Sequence, residues 1–427
     1  MATSIKHSLD NATIGVITVL KEEYAAAVEI LNCTESLTSD GGRFYKIGAI
    51  PRSDNTGNHI VALCRLSGQG NETAAVRTSS LIEDCKNLQV IIMCGIAGAV
   101  PSPEDAENHV RLGDIVVSGN EGVLQYDLEK VEEESTEIRA KPLSRVSRRM
   151  LEVYQSIEGD ELRGKRPWDK YIKQAITQLN SYGSIDWSRP EDTEDILRKQ
   201  IEGSENWEVI AHPNDDQRKD GLPRLFCGVI ASANKLVKKT SLRDMLKEKY
   251  KAKAIEMEAA GIAHAAIDKG KDFFIVRGTC DYCNNDKNDS WHYYASVISA
   301  AFIKVLIENL GVSLSEGTNI SGTHKNETQV GANANLGDIK LVERDCEHII
   351  NRIDEYINTF EINKCKSISK ELENILTRYE LEMDRELVLK AYYAIARIAV
   401  RIAQETGIKT DIEKAQYFIG KAKSVKK

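Results

Sequence analysis

A chain of 427 residues with 41% hydrophobic and 29% charged side chains has a globular composition and room for two or three domains. Its net charge of −8 gives no basis for non-specific nucleic-acid binding. No apolar run reaches the about 18 residues a membrane span needs, and no signal-peptide core is legible, so a cytoplasmic protein without membrane contact is expected. The nine cysteines are scattered. Cys64, Cys94 and Cys280 sit in or beside apolar runs, as reduced core thiols do. Cys280 and Cys283 spell a CxxC pair without a second pair or clustered histidines, so no metal or cofactor is expected.

The apolar run 13–20 predicts a buried strand, and Lys21-Glu22-Glu23-Tyr24 opens a helix to about Leu31. Gly41-Gly42 punctuates a hairpin-like stretch whose second strand is 43–47. The run 59–66 predicts another strand. It ends in Ser67-Gly68-Gln69-Gly70-Asn71, a Gly-rich turn that lets backbone N–H groups approach a ligand, followed by a helix over 73–85. Residues 90–94 read as a buried strand, with Gly95-Ile96-Ala97-Gly98-Ala99 as its exit turn. A turn at 111–114 leads into strand 115–118, extended by 122–127.

Residues 130–222 are charge-rich and carry Trp168, Trp187 and Trp207. Helices are expected over 143–157, 170–179 and 193–201. The segment reads as a surface insertion with a small core of its own or as a lid over a ligand. Strand character returns at 224–232, followed by Ser232-Ala233-Asn234-Lys235 and an amphipathic helix to about Tyr250.

The residues that can carry chemistry concentrate between 256 and 281. Glu256 and Glu258 bracket Met257 at the mouth of an apolar helix that runs to about Asp268, with Gly270 as its stop signal. Next comes the apolar strand 273–276, carrying Arg277 and then Asp281 at its carboxyl end, where open α/β sheets bind ligands. Acids at a helix N-terminus also suit the macrodipole, so a plain capping role stands beside the functional one. A polar loop over 284–290 precedes a last helix, 291–310. Residues 314–339 read as a polar linker, and from 340 the periodicity is purely helical, over 341–360, 366–379, 383–404 and 411–423. Their spacing suggests tetratricopeptide-like pairs.

Taken together, the pieces 14–17 with Glu22-Glu23, 66–71, 94–98, 113–118, 230–232, 255–260 and 276–281 resemble the purine nucleoside phosphorylase and nucleosidase superfamily, in the family's order. The pieces 111–114, 122–127 and 277–291 look most like the nucleosidase domains of fungal NLR-like immune proteins and bacterial anti-phage effectors. The resemblance implies an α/β, three-layer nucleoside phosphorylase-like fold with a mixed central sheet over 1–313, followed by an all-α helical domain over 340–427.

The resemblance further implies hydrolysis of a purine N-glycosidic bond to free base and ribose phosphate. Asp281 would protonate the leaving base, Glu258 would hold the ribose hydroxyls, and Glu23 would take a proton from the attacking water. Arg277 would orient the acid or the nucleophile, with Met257 beneath the sugar. Glu256, Ser67, Gly68, Gly95, Ile96, Ala97, Ser232, Asn234 and Lys287 complete the expected substrate contacts.

Met93 and Ile96 stand where phosphorylases of the superfamily bind phosphate, so hydrolysis is expected over phosphorolysis. Leu236 stands where methylthioadenosine nucleosidases stack a phenylalanine on the base. Arg163, Lys165, Arg166 and Lys170 would, in a lid, meet a triphosphate, which makes ATP or dATP the expected substrate of an immune-type effector. A methylthioadenosine/S-adenosylhomocysteine-type nucleosidase, a phosphorylase and a catalytically silent nucleotide-binding module are the alternatives. The expected partners are further copies of the chain and a protein or signal molecule at the helical domain.

Overall fold

The computed structural model describes residues 8–311 apart from 55–56, 132–135, 139, 145, 184, 202–203, 205 and 285–288, and beyond these 350, 369, 372, 376, 385–406, 416–419 and 422. The chain divides into two compact units, Met1–Gly317 and Thr318–Lys427.

In the first unit the order is β1 (Ile14–Thr18), α1 (Lys21–Ile30), β2 (Glu35–Thr38), β3 (Phe44–Pro51), β4 (Asn58–Arg65), α2 (Asn71–Asp84), β5 (Val90–Ala99) and β6 (Ile115–Gln125). Three short strands follow, β7 (Glu129–Val131), β8 (Thr136–Ile138) and β9 (Lys141–Leu143), then α3 (Arg148–Leu162), α4 (Trp168–Ser181), β10 (Arg198–Gln200) and β11 (Trp207–Val209). The series closes with β12 (Leu225–Ser232), α5 (Thr240–Tyr250), β13 (Ala252–Glu256), α6 (Ala259–Asp268), β14 (Asp272–Asp281) and α7 (His292–Glu308).

The main sheet runs β13-β12-β6-β14-β5-β1-β4-β3-β2, with β9 on β6. It is mixed: β5 pairs parallel with β1 and β14, whereas β14 meets β6 antiparallel. β13 pairs with β12 on one side and with β5 on the other, so one end of the sheet curls shut. Every residue of β5 is buried, which explains why 90–94 reads as an unbroken apolar run.

The expected exit turn at 95–99 is instead strand. Gly95 pairs with Arg277, and Gly98 with both Asp281 and Ile255. β14 pairs along 95–98, the Ile96 N–H is taken by Glu23, and β13 meets Gly98 and Ala99, so β5 continues past its apolar half with its amides satisfied.

The described residues of segment 130–222 share the core of the sheet. Tyr154, Trp168, Ile172, Leu179, Trp187 and Leu197 are buried in the same cluster as the sheet residues. The Trp168 ring meets Phe302 of α7 edge-on at 5.5 Å, and Trp187 meets Tyr293 at 5.0 Å. The charged residues of α3 and α4 are half-buried or exposed, so these helices read as peripheral. The helix expected over 193–201 is a 3-10 turn at Asp192–Glu194 followed by β10. Glu191 lies three and four places before Glu194 and Asp195, a like-charge spacing that disfavours α-helix.

The second unit is described chiefly by α8 (Arg385–Thr406). Leu387, Val388, Ala391, Tyr392, Ile395, Ile398 and Ile402 form its buried stripe, packed with Leu372, Leu376 and Phe418. The linker and most of the other expected C-terminal helices lie outside the described residues. Among the described residues no helix is long and apolar enough to cross a membrane.

Candidate active site

Four charged side chains meet at the carboxyl end of the sheet, each at most 6% exposed: Glu23, Glu256, Glu258 and Arg277. Glu23 is the third residue of α1, and its Oε2 reaches back to accept from the N–H groups of Val19 and Leu20 at 2.7 and 2.8 Å, half of a capping box. Its Oε1 accepts from the Ile96 N–H at 2.9 Å, tying α1 to β5. Glu256, at the end of β13, accepts from the N–H groups of Glu258 and Ala259 and anchors the start of α6. The Glu258 Oε1 accepts from the Gly70 N–H at 3.0 Å.

Arg277 projects from β14 into the middle of these acids. It bonds Glu256 directly, and lies 3.7 Å from Glu258 and 4.0 Å from Glu23. Gly95 makes room for this arrangement. A Cβ there would stand 2.3 Å from the Arg277 guanidinium and 2.5 Å from the Glu23 carboxylate.

Three carboxylates therefore share one guanidinium. Burial, reinforced by the charge of Glu256, pushes the Glu258 carboxyl up to about 7, against the pull of Arg277 and the Gly70 N–H. Burial also raises Glu23, opposed by Arg277 and the three backbone N–H groups.

Asp281 is held differently. It ends β14 at a register shift against β5 between Thr279 and Asp281. Such an irregularity re-aims a side chain. Its Oδ1 accepts from the Cys283 N–H at 2.8 Å, and its Oδ2 from the Cys280 thiol at 3.5 Å. Cys283 adopts φ 52°, which turns the chain sharply after the acid. Gly98 is the counterpart of Gly95: a Cβ there would meet the Cys283 sulfur at 2.1 Å and the Asp281 Oδ1 at 3.0 Å. Both glycines are close approaches of the backbone to the charged side chains themselves.

One cavity brings Glu23, Glu256, Met257, Glu258, Ile96, Ala97 and Asp281 together, with Gln69, Lys235, Leu236 and His292 among its other walls. Several expected contacts fall elsewhere. The Gly-rich turn contributes Gln69 to the described lining rather than Ser67 or Gly68. Ser232 spends its hydroxyl on the Ala260 N–H and the Asn71 side chain. Asn234 bonds the Asn71 N–H and Glu72. Gly95 and Arg277 lie beneath the wall rather than in it. Glu256 lines the cavity with its carboxylate already engaged by Arg277 and the start of α6. It is a capping residue, buried rather than solvated. Lys287 lies outside the described residues.

The sequence reading missed Gln69, Lys235 and His292. The first two are one or two places from residues it chose, a slip in phase that strand-to-helix turns do not resolve. His292 opens α7 and bonds Glu22 at 3.3 Å, a pairing no local signal carries.

A family model described as the phosphorylase superfamily matches residues 188–310, the stretch that holds Glu256, Glu258, Arg277 and Asp281. A nucleotide-binding leucine-rich repeat (NLR)-like protein of Hyaloscypha variabilis is 30% identical over 312 residues, covering 69% of this chain and 29% of that protein. The chain belongs to the nucleoside phosphorylase and nucleosidase superfamily.

Two further superfamily members are similar. The ATP nucleosidase Cap17 of Escherichia coli is 26% identical over 301 residues, 68% of this chain and 50% of Cap17. A 5′-methylthioadenosine/S-adenosylhomocysteine nucleosidase of Staphylococcus epidermidis is 23% identical over 303 residues, 70% of this chain and 100% of that enzyme. The match thus spans half of Cap17 and less than a third of the NLR-like protein.

Two expectations drawn from the superfamily change. Ile96 lines the cavity, but Met93 is fully buried, its sulfur against the Arg277 guanidinium. The cations of 163–170 do not reach the described lining of this nucleosidase-like site. Arg166 is bound by Glu161 and Asp169, Arg163 and Lys165 pair with Asp160, and Lys170 lies over the Tyr171 ring. Lys235 and His292 are the described basic side chains in the wall.

Proposed function

We propose that this cavity hydrolyses the N-glycosidic bond of a purine nucleotide, with ATP or dATP as substrate, to free base and ribose phosphate. The observation that carries the reading is the presence of Glu23, Glu258 and Asp281 in the wall of one cavity, over Met257. In this mechanism the bond between the sugar C1′ and the base breaks with its electron pair leaving on the base. Asp281 supplies a proton to the base as it departs. Ionised Glu258 holds the ribose hydroxyls while positive charge grows on the sugar. Water adds to C1′ and gives its proton to Glu23, and exchange with solvent restores both acids. A silent nucleotide-binding module would have no use for a proton donor opposite a base.

Arg277 is a positioning residue here, its charge spent on holding the carboxylates. With that arginine engaged and Met93 buried, hydrolysis is favoured over phosphorolysis. The preference for a nucleotide rests on Lys235 and His292 in the wall and on the named activity of Cap17. Apolar Leu236 and Val237 in the same wall favour the second reading, a methylthioadenosine-type nucleosidase. The immune-effector role, self-association and regulation through the helical unit belong to the same proposal.

The test is incubation with a panel of purine nucleosides and nucleotides, with and without phosphate, followed by product identification. Free base and an unphosphorylated C1′ are expected, with ATP or dATP cleaved fastest. A ribose 1-phosphate that depends on added phosphate overturns the hydrolytic reading. Cleavage of methylthioadenosine with ATP left intact overturns the nucleotide assignment.

A further inference from the structure

Asp281 is braced on both sides of its position in the chain. Two residues before it, Thr279 is bound to the turn 111–114. Its hydroxyl donates to the Arg111 carbonyl at 2.6 Å, its N–H donates to the Asp114 carbonyl at 2.9 Å, and its carbonyl accepts from the Gly113 N–H at 2.9 Å. One residue after it, Tyr282 is 3% exposed, and its hydroxyl donates to the Asp195 Oδ1 at 2.6 Å. The Tyr282 carbonyl accepts from the Arg243 guanidinium at 2.9 Å.

Both braces converge on one carboxylate. The second oxygen of Asp195 accepts from the Arg111 Nε at 2.7 Å, and the Asp195 side chain is fully buried. His212 adds a third partner, its Nε2 lying 2.9 Å from the Asp195 carbonyl and 3.5 Å from the Asp195 carboxylate. The turn that carries Arg111 is itself fixed, because Arg218 grips the Asp114 carboxylate with two bonds of 2.7 and 2.8 Å. Beside Asp195, the Glu194 carbonyl accepts from the indole of Trp291, next to the cavity residue His292.

Asp195 lies in 130–222, among the residues of this segment that do not line the described cavity. A buried carboxylate with an arginine, a tyrosine and a histidine around it is a costly device for surface trim, since removing one partner leaves a charge without compensation. Two of its partners, Arg111 and Tyr282, act at the two ends of Thr279-Cys280-Asp281-Tyr282.

We propose that Asp195 is a positioning residue for Asp281, fixing the acid by tying Arg111 on one side and the Tyr282 hydroxyl on the other. The proposal rests on the reading of Asp281 as the proton donor. Proton transfer requires a heavy-atom separation of about 2.6–3.2 Å, and misplacement of a reacting group by about 1 Å is enough to cost about 10²-fold. A brace on both sides of the acid acts on that separation. It leaves Glu258, which holds the sugar, untouched, so it acts on turnover rather than on substrate affinity.

The experiment uses the full-length chain and the panel member that wild type cleaves fastest, with Tyr282→Phe and Asp195→Asn compared in wild-type and Asp281→Asn backgrounds. Tyr282→Phe keeps the ring and removes the bond. Turnover is expected to fall about tenfold, with KM within about twofold. In the Asp281→Asn background the same changes are expected to have no further effect on kcat, because a brace has nothing left to place. Full turnover in Tyr282→Phe and Asp195→Asn, while Asp281→Asn is impaired, overturns the positioning role alone. So does an undiminished tenfold loss in the Asp281→Asn background, which marks a general structural effect. Unimpaired Asp281→Asn, or no base released by wild type from any panel member, overturns the catalytic reading and the positioning proposal with it.

Discussion

The two acidic regions of the cavity are built on opposite principles. Around Arg277, three glutamates are held by a central charge and by backbone N–H groups from α1, the Gly-rich turn, β5 and the start of α6. Around Asp281, one carboxylate sits at a register shift and is bound by groups within two residues of it, while its outer supports act through Thr279 and Tyr282. The first region closes the fold and is expected to be rigid. In the proposed mechanism the second carries the proton donor to the base, and the first carries Glu23, the acceptor from water.

The largest effect that sharpens this contrast is Arg277→Met. It leaves three buried carboxylates without their cation, and breaking a buried pair of this kind costs about 3–5 kcal/mol. Denaturant unfolding should show that loss, and a variant as stable as wild type would remove the arginine from its central place. Asp281→Asn should do the reverse. Turnover falls about 10²-fold or more, the scale of general acid catalysis, while the melting temperature barely moves, because the amide oxygen still accepts from the Cys283 N–H. Near-normal turnover would remove Asp281 from its assigned role.

The two glycines divide the regions on one strand. Gly95→Ala forces a methyl into Arg277 and Glu23 and is expected to cost about 1–3 kcal/mol of stability, as overpacking does. Gly98→Ala pushes on Cys283 and Asp281 instead, so its loss should appear mainly in turnover. Equal losses of stability with equal losses of activity would erase the division.

The last effect is the pH dependence of Glu258. Its folded carboxyl holds a proton up to about pH 7, whereas an unperturbed glutamate releases it near 4.5. The resulting stabilisation is complete below 4.5 and is lost as pH rises through 7, at about 1.4 kcal/mol per pH unit within that window. Glu258→Gln removes the titration, so wild-type stability measured against it should decline between pH 4.5 and 7. Activity should move the other way, rising through pH 7 in wild type as the ribose-holding carboxylate ionises. A flat stability difference would place the titrating group elsewhere.

Much of the site was legible in order along the chain. Glu23 and Asp281 stand at the ends of apolar runs that read as buried strands, Met257 and Glu258 stand at the mouth of an apolar helix, and the cavity brings these residues together. The resemblance of the ordered pieces named the superfamily, which the comparisons bear out. The misread residues have a common cause. Ser232 and Asn234 lie in the right turn but spend their side chains on α2 and α6. Arg163, Lys165 and Arg166 are consumed by acids three to five places away, within reach of a local ion pair, and Lys170 lies over the Tyr171 ring.

The sequence alone determined the order of the long buried strands and main helices, the α/β class and the positions of the acids, because apolar periodicity and glycine placement are local properties; it left β13 unread and took 193–201 for helix. Only the tertiary structure decided that β5 runs on through Gly98, since that depends on β13 and β14 arriving on either side. It also decided that segment 130–222 shares the main core and sends Asp195 to Tyr282, a bond between residues 87 apart in the chain. The identity of a residue fixes what it can bond, but a partner at that separation is chosen by the packing of the sheet.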